Sequence, residues 1–273
     1  MIFIIFFAIP AVTGIYISFT KWNLYSTPQW IGLKNYYEIL INSDSTFYHQ
    51  LYNGLFNTMK FTLFTVPFFI IIPLLLAVAL NTKTYGSKFF QSLFYMPTLL
   101  SISTVILTWI FMFHRNLGPI NNILGINVNW FGEQPFTWIA IVIITLWWGI
   151  GGNMVIYLAG LNGIEKTLYE AAEIDGANTI QKFFNVTIPG LKNQLVYTLV
   201  LTTIAQFNVY GQPLMFSKGA PGESTRVLMM YIRELAFGTG ESIAGLASAM
   251  AVVLGLCILA VSIIQFSFSR KMD

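Results

Sequence analysis

The chain has 273 residues, of which 56% are hydrophobic and only 9% are charged. Soluble domains carry roughly 25% charged residues, so this composition excludes an ordinary soluble domain and indicates an integral membrane protein. The net charge of +3 is small and dispersed, which argues against a nucleic-acid partner.

Several kinds of chemistry are also excluded. Cys257 is the single cysteine of the sequence, so neither a disulfide framework nor a cysteine metal site can form. His49 and His114 have no ligand-like neighbours and are interpreted as surface or interfacial residues. The sequence contains no GxxxxGK[ST] phosphate-binding loop. We therefore expect that the chain is not an enzyme, holds no cofactor and does not itself hydrolyse ATP.

Six apolar segments are long enough to cross a bilayer core, which takes roughly 20 helical residues. None of the six contains Asp, Glu, Lys or Arg. Intramembrane ionisable residues are typical of proton-coupled pumps and charged-substrate paths, so their absence favours a neutral solute moved by energy supplied elsewhere. The sequence predicts an all-α integral membrane protein with six transmembrane helices, at residues 1–19, 61–80, 93–113, 136–158, 195–216 and 243–268.

The first segment is interpreted as a membrane span rather than a cleaved signal peptide. It has no basic leader and no A-x-A cleavage site before Lys21. Its apolar run begins at Met1, which indicates a short or trimmed N-terminus. Between the spans, we expect an interfacial helix within 21–60, a tight basic turn at 81–88, turns within 114–134, and a turn followed by a helical patch within 217–241.

Spans four and five carry uncharged polar residues and glycines. Glycines in a membrane helix let a second helix or a ligand approach closely, and residues 202, 206 and 210 are spaced to share one helix face. Amides, hydroxyls and aromatic faces suit a sugar, although the same residues also serve as contacts between helices or at membrane interfaces. The candidate solute-path residues are Trp148, Gly149, Gly152, Asn153, Thr202, Gln206 and Tyr210.

Spans four and five are joined by residues 160–191, here named the bracket segment. A short helix is expected from residue 164 to 174, ended by Gly176 in a left-handed conformation. A second short helix should begin near Asn178. A new helix is expected to start at Thr187-Ile188-Pro189, with the threonine as cap and the proline in the first turn.

The bracket segment resembles the "EAA" loop of the permease subunits of binding-protein-dependent ABC importers. Glu170-Ala171-Ala172, Gly176 and Ile188-Pro189 occupy the places of that motif, with Ile188 where a leucine is usual. The alternative is an ordinary amphipathic loop. The resemblance implies that the bracket segment lies in the cytoplasm and couples to an ATPase subunit through Glu170, Ala171, Ala172, Asp175, Gly176 and Pro189.

Further short matches resemble the carbohydrate-uptake branch of these permeases, related to those for maltose and glycerol phosphate. They occur at residues 57–58, 95–98, 118–121 and 158–161, and in the loop at Gly219-Ala220-Pro221, one residue off the usual pattern. By motif offset, Gly149, Gly152, Thr202 and Gln206 fall where the maltose permease binds sugar. Val209 stands where that permease has an amide.

The positive-inside count is tied, with seven Lys or Arg on each side of the predicted membrane. The shorter loops on the side of the bracket segment weakly favour a cytoplasmic position for it, and the resemblance implies the same. It further implies one permease domain over residues 1–273 in the bacterial cytoplasmic membrane. The implied partners are a second permease, two ATPase subunits that bind ATP and Mg²⁺, and an extracytoplasmic solute-binding protein.

Three alternatives remain open at this point. A secondary carrier would need a coupling-ion site, for which the uncharged spans provide no side chain. A membrane scaffold or sensor would explain the composition but not the bracket segment. An ABC permease for an amino acid or phosphate would share the EAA motif.

Overall fold

The computed structural model describes residues 1–82, 85–238 and 243–270, and the side chains as far as residue 267. Within these ranges the chain is mostly helical, with one short antiparallel ribbon, β1 (Thr20–Lys21) with β2 (Gln29–Trp30). A π-helical stretch, Ile4–Ala8, precedes the first α-helix. The α-helices are α1 (Ile9–Ser18), α2 (Lys34–Leu40), α3 (Thr46–Asn81), α4 (Ser87–Tyr95), α5 (Ile102–Met112), α6 (Pro119–Leu124), α7 (Phe136–Asn162), α8 (Lys166–Ile174), α9 (Thr179–Lys182), α10 (Ile188–Gly190), α11 (Lys192–Phe207), α12 (Gly211–Phe216), α13 (Leu228–Phe237) and α14 (Ala244–Arg270).

The chain forms two compact units. Unit 1 comprises Met1–Thr62, Asn127–Trp138 and Phe207–Val261, and unit 2 comprises Leu63–Ile126, Ile139–Gln206 and Ser262–Asp273.

Unit 1 is built around an apolar core drawn from α2, α3, α13 and α14. The β-ribbon is fixed by Asn35, whose Nδ2 donates to the carbonyls of Ser18 and Thr20 at 2.8 and 2.9 Å. A Cβ on Gly245 would lie 1.9 Å from the Thr20 carbonyl oxygen, so only glycine allows the start of α14 to pack here. The buried core residues are Ile39, Leu51, Phe207, Leu228, Ile232, Leu246, Ala249, Met250 and Leu254.

Unit 2 has its own core where α3, α7 and the start of α11 meet. Leu191 is fully buried, and a Cβ on Gly160 would lie 2.6 Å from its Cδ2. Close packing at this junction therefore fixes both ends of the bracket segment. The buried core residues are Leu74, Ala77, Met154, Tyr157, Leu158, Leu161 and Leu191.

Among the described residues, three helices are long and apolar enough to cross a membrane, namely Thr46–Asn81, Phe136–Asn162 and Ala244–Ser267. The predicted spans two, four and six all lie on these helices. Thr46–Asn81 begins well before predicted span two, so part of the predicted polar loop 21–60 is helical. The short helix expected in that loop is α2. The first apolar helix, Ile4–Ser18, is shorter than the predicted span.

The prediction of one helix over 93–113 is wrong. Ser87–Leu99 and Ile102–Met112 meet at a bend of 100°. Ser101 is extended, with ψ = 144°, and its side chain accepts a hydrogen bond from the Thr104 N–H as the cap of α5. The pair counts as a fourth membrane-crossing element if both halves form one span. A capping serine inside an apolar run therefore divides the helix.

The prediction of one helix over 195–216 is also wrong. Helix α11 ends at Phe207, and α12 begins at Gly211. Pro213 has no N–H to donate to the carbonyl four residues earlier, and its ring clashes there. The helix therefore breaks near residues 208–210.

Two predicted loops fall partly outside the described residues. The basic turn at 81–88 includes Lys83 and Thr84, and the 217–241 loop ends beyond residue 238. Lys271, which entered the charge count, also lies outside them.

Candidate functional site

The first helix of the bracket segment, α8, ends as predicted. Gly176 is left-handed, with φ = +76°. The N–H of Ala177 donates to the Ala172 carbonyl at 2.9 Å, and the N–H of Gly176 donates to the Glu173 carbonyl at 3.0 Å. This pair of bonds is a Schellman motif, in which glycine avoids the steric cost of a Cβ.

The second short helix starts at Asn178, also as predicted. The Asn178 Oδ1 accepts from the Gln181 N–H at 2.9 Å, and the Gln181 Oε1 accepts from the Asn178 N–H at 2.8 Å. This reciprocal capping box satisfies two N–H groups that the start of a helix leaves free.

The expected helix start at Thr187-Ile188-Pro189 is confirmed in position, since α10 begins at Ile188 with Pro189 in its first turn, but Thr187 does not act as the expected cap. Thr187 is itself helical and caps nothing with its side chain. A π-turn, Phe183–Thr187, carries the chain from α9 into α10 without interruption. The Thr187 hydroxyl instead lies 3.0 Å from the Tyr169 hydroxyl, which ties the two arms of the bracket segment together.

The residues predicted to contact an ATPase are mostly exposed. Glu170, Ala171, Asp175 and Pro189 are exposed, whereas Ala172 is half-buried. Four large apolar side chains that the sequence analysis did not single out are also exposed in the bracket segment, with exposed fractions of 52% for Leu168, 87% for Ile174, 69% for Ile180 and 61% for Phe184.

One ion pair crosses the bracket segment. The Lys182 Nζ lies 2.6 Å from the Glu173 Oε1. The hydrogen bond from Lys182, and then its positive charge, lower the pKa of the Glu173 carboxyl below its ordinary value.

A second candidate region lies in unit 2, where α7 faces α3 and α11. The Asn153 Nδ2 donates to the Phe69 carbonyl at 2.8 Å and to the Thr202 Oγ1 at 3.1 Å. One turn further along α7, the hydroxyl of Tyr157 lies 2.6 Å from that of Thr198. Of the predicted solute-path residues, Asn153 and Thr202 are thus brought together.

The glycines of α7 have different environments. A Cβ on Gly149 would lie 2.7 Å from the Phe69 ring, and a Cβ on Gly151 would lie 2.5 Å from the Phe94 carbonyl oxygen. A Cβ on Gly152 would meet nothing within 4 Å. Gly149 and Gly151 therefore permit close helix packing, whereas Gly152 lies beside open space.

Trp148 has a structural contact at the bend between α4 and α5. Its Nε1 donates to the Leu100 carbonyl at 3.1 Å, and its carbonyl accepts from the Thr98 hydroxyl at 3.0 Å. Its indole N–H is therefore already paired, and only its ring surface is free for another contact.

The predicted shared face of residues 202, 206 and 210 does not extend to Tyr210. Thr202 and Gln206 lie on α11 and are 7% and 8% exposed. Tyr210 lies beyond the end of α11, with φ = −150°, and precedes α12 in unit 1. Because α11 ends before Tyr210, the spacing of four residues no longer places Tyr210 on the same helix face as Thr202 and Gln206.

A third polar region, in unit 1, was not predicted. Residues 217–227, here named the anchored loop, are held by side chains distant in sequence. The Asn57 Nδ2 donates to the carbonyls of Glu223 and Arg226 at 3.1 and 3.0 Å. The Thr58 Oγ1 accepts from the Leu228 N–H at 3.0 Å.

Other groups complete the anchored loop. The Trp138 Nε1 donates to the Ser224 carbonyl at 3.0 Å. Arg226 pairs with Glu223 and Glu234, and its guanidinium carbon lies 4.3 Å from the Tyr231 ring centroid. The resemblance points to Asn57-Thr58 and to Gly219-Ala220-Pro221, but it assigns no structural role to either.

No group of three or more His, Cys, Asp or Glu residues that could hold a metal ion occurs among the described residues. The described part of the chain thus has apolar helices, buried uncharged polar side chains and an exposed loop with the EAA-like motif. These features are typical of a membrane transport component.

Comparison with known proteins agrees with this class. Residues 40–273 match the family described as the inner membrane component of binding-protein-dependent transport systems. The chain is 33% identical over 275 residues to the probable starch degradation products transport system permease protein AmyD of Thermoanaerobacterium thermosulfurigenes, covering 99% of this chain and 90% of AmyD. It is 30% identical to the arabinooligosaccharides transport system permease protein AraP of Bacillus subtilis (strain 168), covering 98% and 84% of the two chains.

The fold is also similar to that of a solved structure. A bacterial alginate ABC transporter in complex with an alginate pentasaccharide-bound periplasmic protein contains a chain with a TM-score of 0.84 and 20% identity, covering 99% of this chain and 91% of that one.

This chain belongs to the family of inner-membrane components of binding-protein-dependent transport systems. The predicted resemblance to permease subunits of ABC importers is confirmed, and so is the membrane localisation. The chain is a transport component rather than an enzyme, and the alternative of a secondary carrier is not favoured.

Proposed function

We propose that this chain forms part of the solute passage of an ATP-driven importer whose solute is a neutral sugar or oligosaccharide. The observation that carries the proposal is the hydrogen bond between Asn153 and Thr202, with the buried amide of Gln206 one turn further along α11 and no charged residue in the predicted spans that contain them. Neutral hydrogen-bonding groups suit hydroxyl-rich solutes, and the names of AmyD and AraP refer to oligosaccharide transport.

The proposed passage uses the space beside Gly152 and the ring of Trp148. Gly152 would let a solute approach the backbone of α7, because nothing lies within 4 Å of its missing Cβ. Trp148 would offer an apolar surface to a pyranose ring, since its N–H is already bonded to Leu100. Gly149 contributes by letting Phe69 approach, and Tyr210 remains in the proposal as a half-exposed residue near the helix break.

The partners follow from the same proposal. A second permease would complete the passage, two ATPase subunits would bind ATP and Mg²⁺, and an extracytoplasmic binding protein would deliver the solute. The bracket segment would contact an ATPase subunit through Glu170, Ala171, Ala172, Asp175, Gly176 and Pro189. Residues 1–273 would act as one permease domain without a cofactor of its own.

The proposal includes six membrane crossings, with the bracket segment in the cytoplasm. It is tested with a cysteine at Asn185 or at Lys218, each in a Cys257→Ser background, because both positions are exposed. A membrane-impermeant thiol reagent should label the first from the cytoplasmic side and the second from the outside. Labelling of both from the same side would contradict the six-span arrangement.

The passage is tested by Gln206→Leu and Thr202→Val in the assembled transporter. Leaving a buried hydrogen-bonding group unpaired costs roughly 1–3 kcal/mol, so uptake of labelled starch-derived or arabinose oligosaccharides should fall about tenfold. Thr203→Val is the matched control, because Thr203 is the adjacent buried threonine on α11 and bonds to Leu199 and Gln265 instead. The passage is disproved if the double variant transports like wild type, or if Thr203→Val has the same effect.

A further inference from the structure

One proline in α3 leaves a backbone carbonyl without its helical partner. In an α-helix the N–H of each residue donates to the carbonyl four residues earlier. Pro73 lies inside α3 and has no N–H, so the Phe69 carbonyl loses this donor. Within the hydrocarbon core no water is present to replace it, and an unpaired carbonyl there is costly.

Asn153 of α7 provides the missing donor. Its Nδ2 lies 2.8 Å from the Phe69 carbonyl oxygen, across 84 positions of sequence. The contact is supported one turn earlier on α7, because Gly149 leaves room for the Phe69 ring. Two residues of α7 therefore fit this helix to Phe69: Gly149 leaves room for the ring, and Asn153 donates to the carbonyl.

The same amide also reaches α11. The second hydrogen of the Asn153 Nδ2 is directed to the Thr202 Oγ1, at 3.1 Å. A side-chain amide has only two donor hydrogens, and both are used. Asn153 can therefore meet a solute only through its Oδ1, whereas its donors hold α3 and α11 in place.

We propose that Asn153 is a positioning residue that replaces the hydrogen bond lost at Pro73 and thereby holds the Phe69 carbonyl of α3 and the Thr202 hydroxyl of α11 in one arrangement. Its effect on transport rests on the proposed function, because it acts through Thr202. Its structural role is independent of the proposed function, since the bond to the Phe69 carbonyl does not depend on which solute is transported.

The proposal predicts a specific suppression. Asn153→Ala leaves the Phe69 carbonyl unpaired, and Pro73→Ala restores an N–H that can bond to it. In the complete transporter, Asn153→Ala should lower the maximal uptake rate about tenfold and lower the melting temperature. Adding Pro73→Ala or Pro73→Gly should recover the melting temperature, because the new N–H bonds to the Phe69 carbonyl, whereas the uptake rate should stay low because the bond to Thr202 is still missing.

Pro67 provides the matched control, because it is the other proline inside α3. Pro67→Ala combined with Asn153→Ala should recover nothing. If Asn153→Ala fails to assemble, recovery of assembled permease by Pro73→Ala is the readout. The proposal is overturned if neither Pro73 variant restores melting temperature or assembly, or if Pro67→Ala restores them equally.

A kinetic readout separates positioning from general destabilisation. Asn153→Ala should lower kcat for uptake with little change in the KM for the solute-loaded binding protein, and Thr202→Val should add no further loss in that background. Additive losses would overturn the positioning of Thr202. If Thr202→Val and Gln206→Leu together have no effect on uptake, the proposed passage fails, while suppression of the melting defect by Pro73→Ala would still support the bond to Phe69.

Discussion

The anchored loop and the bracket segment both connect apolar helices, but they are stabilised in different ways. Side chains from outside the anchored loop fix it, since Asn57, Thr58 and Trp138 bond to its backbone or to the residue that follows it. The bracket segment is fixed largely by its own residues, through the Schellman turn at Gly176 and the capping box at Asn178. The conformation of the anchored loop thus depends on other parts of unit 1, whereas the turns of the bracket segment depend on residues within it.

This difference has a consequence for exposure. Thr225 of the anchored loop is fully buried, and its hydroxyl lies 2.7 Å from that of Ser217. The bracket segment instead leaves Ile174, Ile180 and Phe184 exposed. Clustered exposed apolar side chains commonly mark interaction sites. A segment whose turns are fixed by its own residues can present such side chains to a partner, as the proposed contact with an ATPase requires.

The largest effect is expected from Gly54→Ala, which disturbs the support of the anchored loop. A Cβ at this position would lie 2.8 Å from the Leu228 Cα and 2.9 Å from the Tyr231 Cδ2. Overpacking of this kind costs about 1–3 kcal/mol, and the backbone atom cannot move aside cheaply. We expect a lower melting temperature and faster proteolysis within 217–227.

Gly14→Ala is the control for this experiment, because Gly14 is also helical and has nothing within 4 Å of its missing Cβ. It should behave like wild type. Equal proteolysis of the anchored loop in Gly54→Ala and wild type would contradict the view that α3 supports this loop.

The same contrast explains what the sequence could predict. The turn at Gly176 and the start at Asn178 depend on residues within four positions of each other, so local patterns predicted them. The bond from Asn57 to Glu223 spans 166 positions, and that from Asn153 to Phe69 spans 84. No local pattern identifies such partners, although Pro73 in a membrane helix does indicate that a carbonyl needs one.

The wrong predictions have a related cause. Thr187 and Pro189 have the composition of a capped helix start, but the π-turn before them and the hydroxyl contact with Tyr169 keep the chain helical. Conversely, the unbroken apolar run at 93–113 predicts one helix, but Ser101 caps a new one within it. Hydrophobicity predicts which residues lie in the membrane better than it predicts where helices break.

An intermediate effect is expected at the turn of the bracket segment. Gly176→Val forces a β-branched residue into the left-handed region, at a cost of roughly 1–2 kcal/mol. Because nothing lies within 4 Å of the missing Cβ, this cost is conformational rather than a clash. Relief of the strain would redirect α9, so ATP hydrolysis stimulated by the loaded binding protein should fall more than in Glu170→Gln.

Gly176→Asn tests this explanation, because asparagine tolerates the left-handed region better than other non-glycine residues. It should retain most of the stimulated activity when permease levels are matched. If Gly176→Val retains full stimulated ATP hydrolysis, or if Gly176→Asn and Gly176→Val lower it equally, the shape of this turn does not control coupling.

The smallest effect is expected for the ion pair of Glu173 and Lys182. Because Lys182 lowers the pKa of Glu173 in the folded chain, the pair stabilises the bracket segment at pH values above the ordinary carboxyl pKa of 4.5. The stabilisation should be constant from neutral pH down to that value and disappear as the pH falls through the lowered pKa. The contribution is small because the Glu173 carboxylate is exposed to water and salt.

The measurement is the melting temperature of wild type minus that of Glu173→Gln, as a function of pH and salt. The difference should be small at neutral pH and shrink on acidification or in 1 M NaCl. Asn57→Ala is the contrast from the anchored loop, because its lost bonds are to partly buried carbonyls and involve no charged side-chain group. The decrease in melting temperature caused by Asn57→Ala should persist in 1 M NaCl. If the Glu173→Gln deficit also persists there, or grows below pH 4.5, the bracket segment is held by buried contacts like those of the anchored loop, and the distinction between the two segments fails.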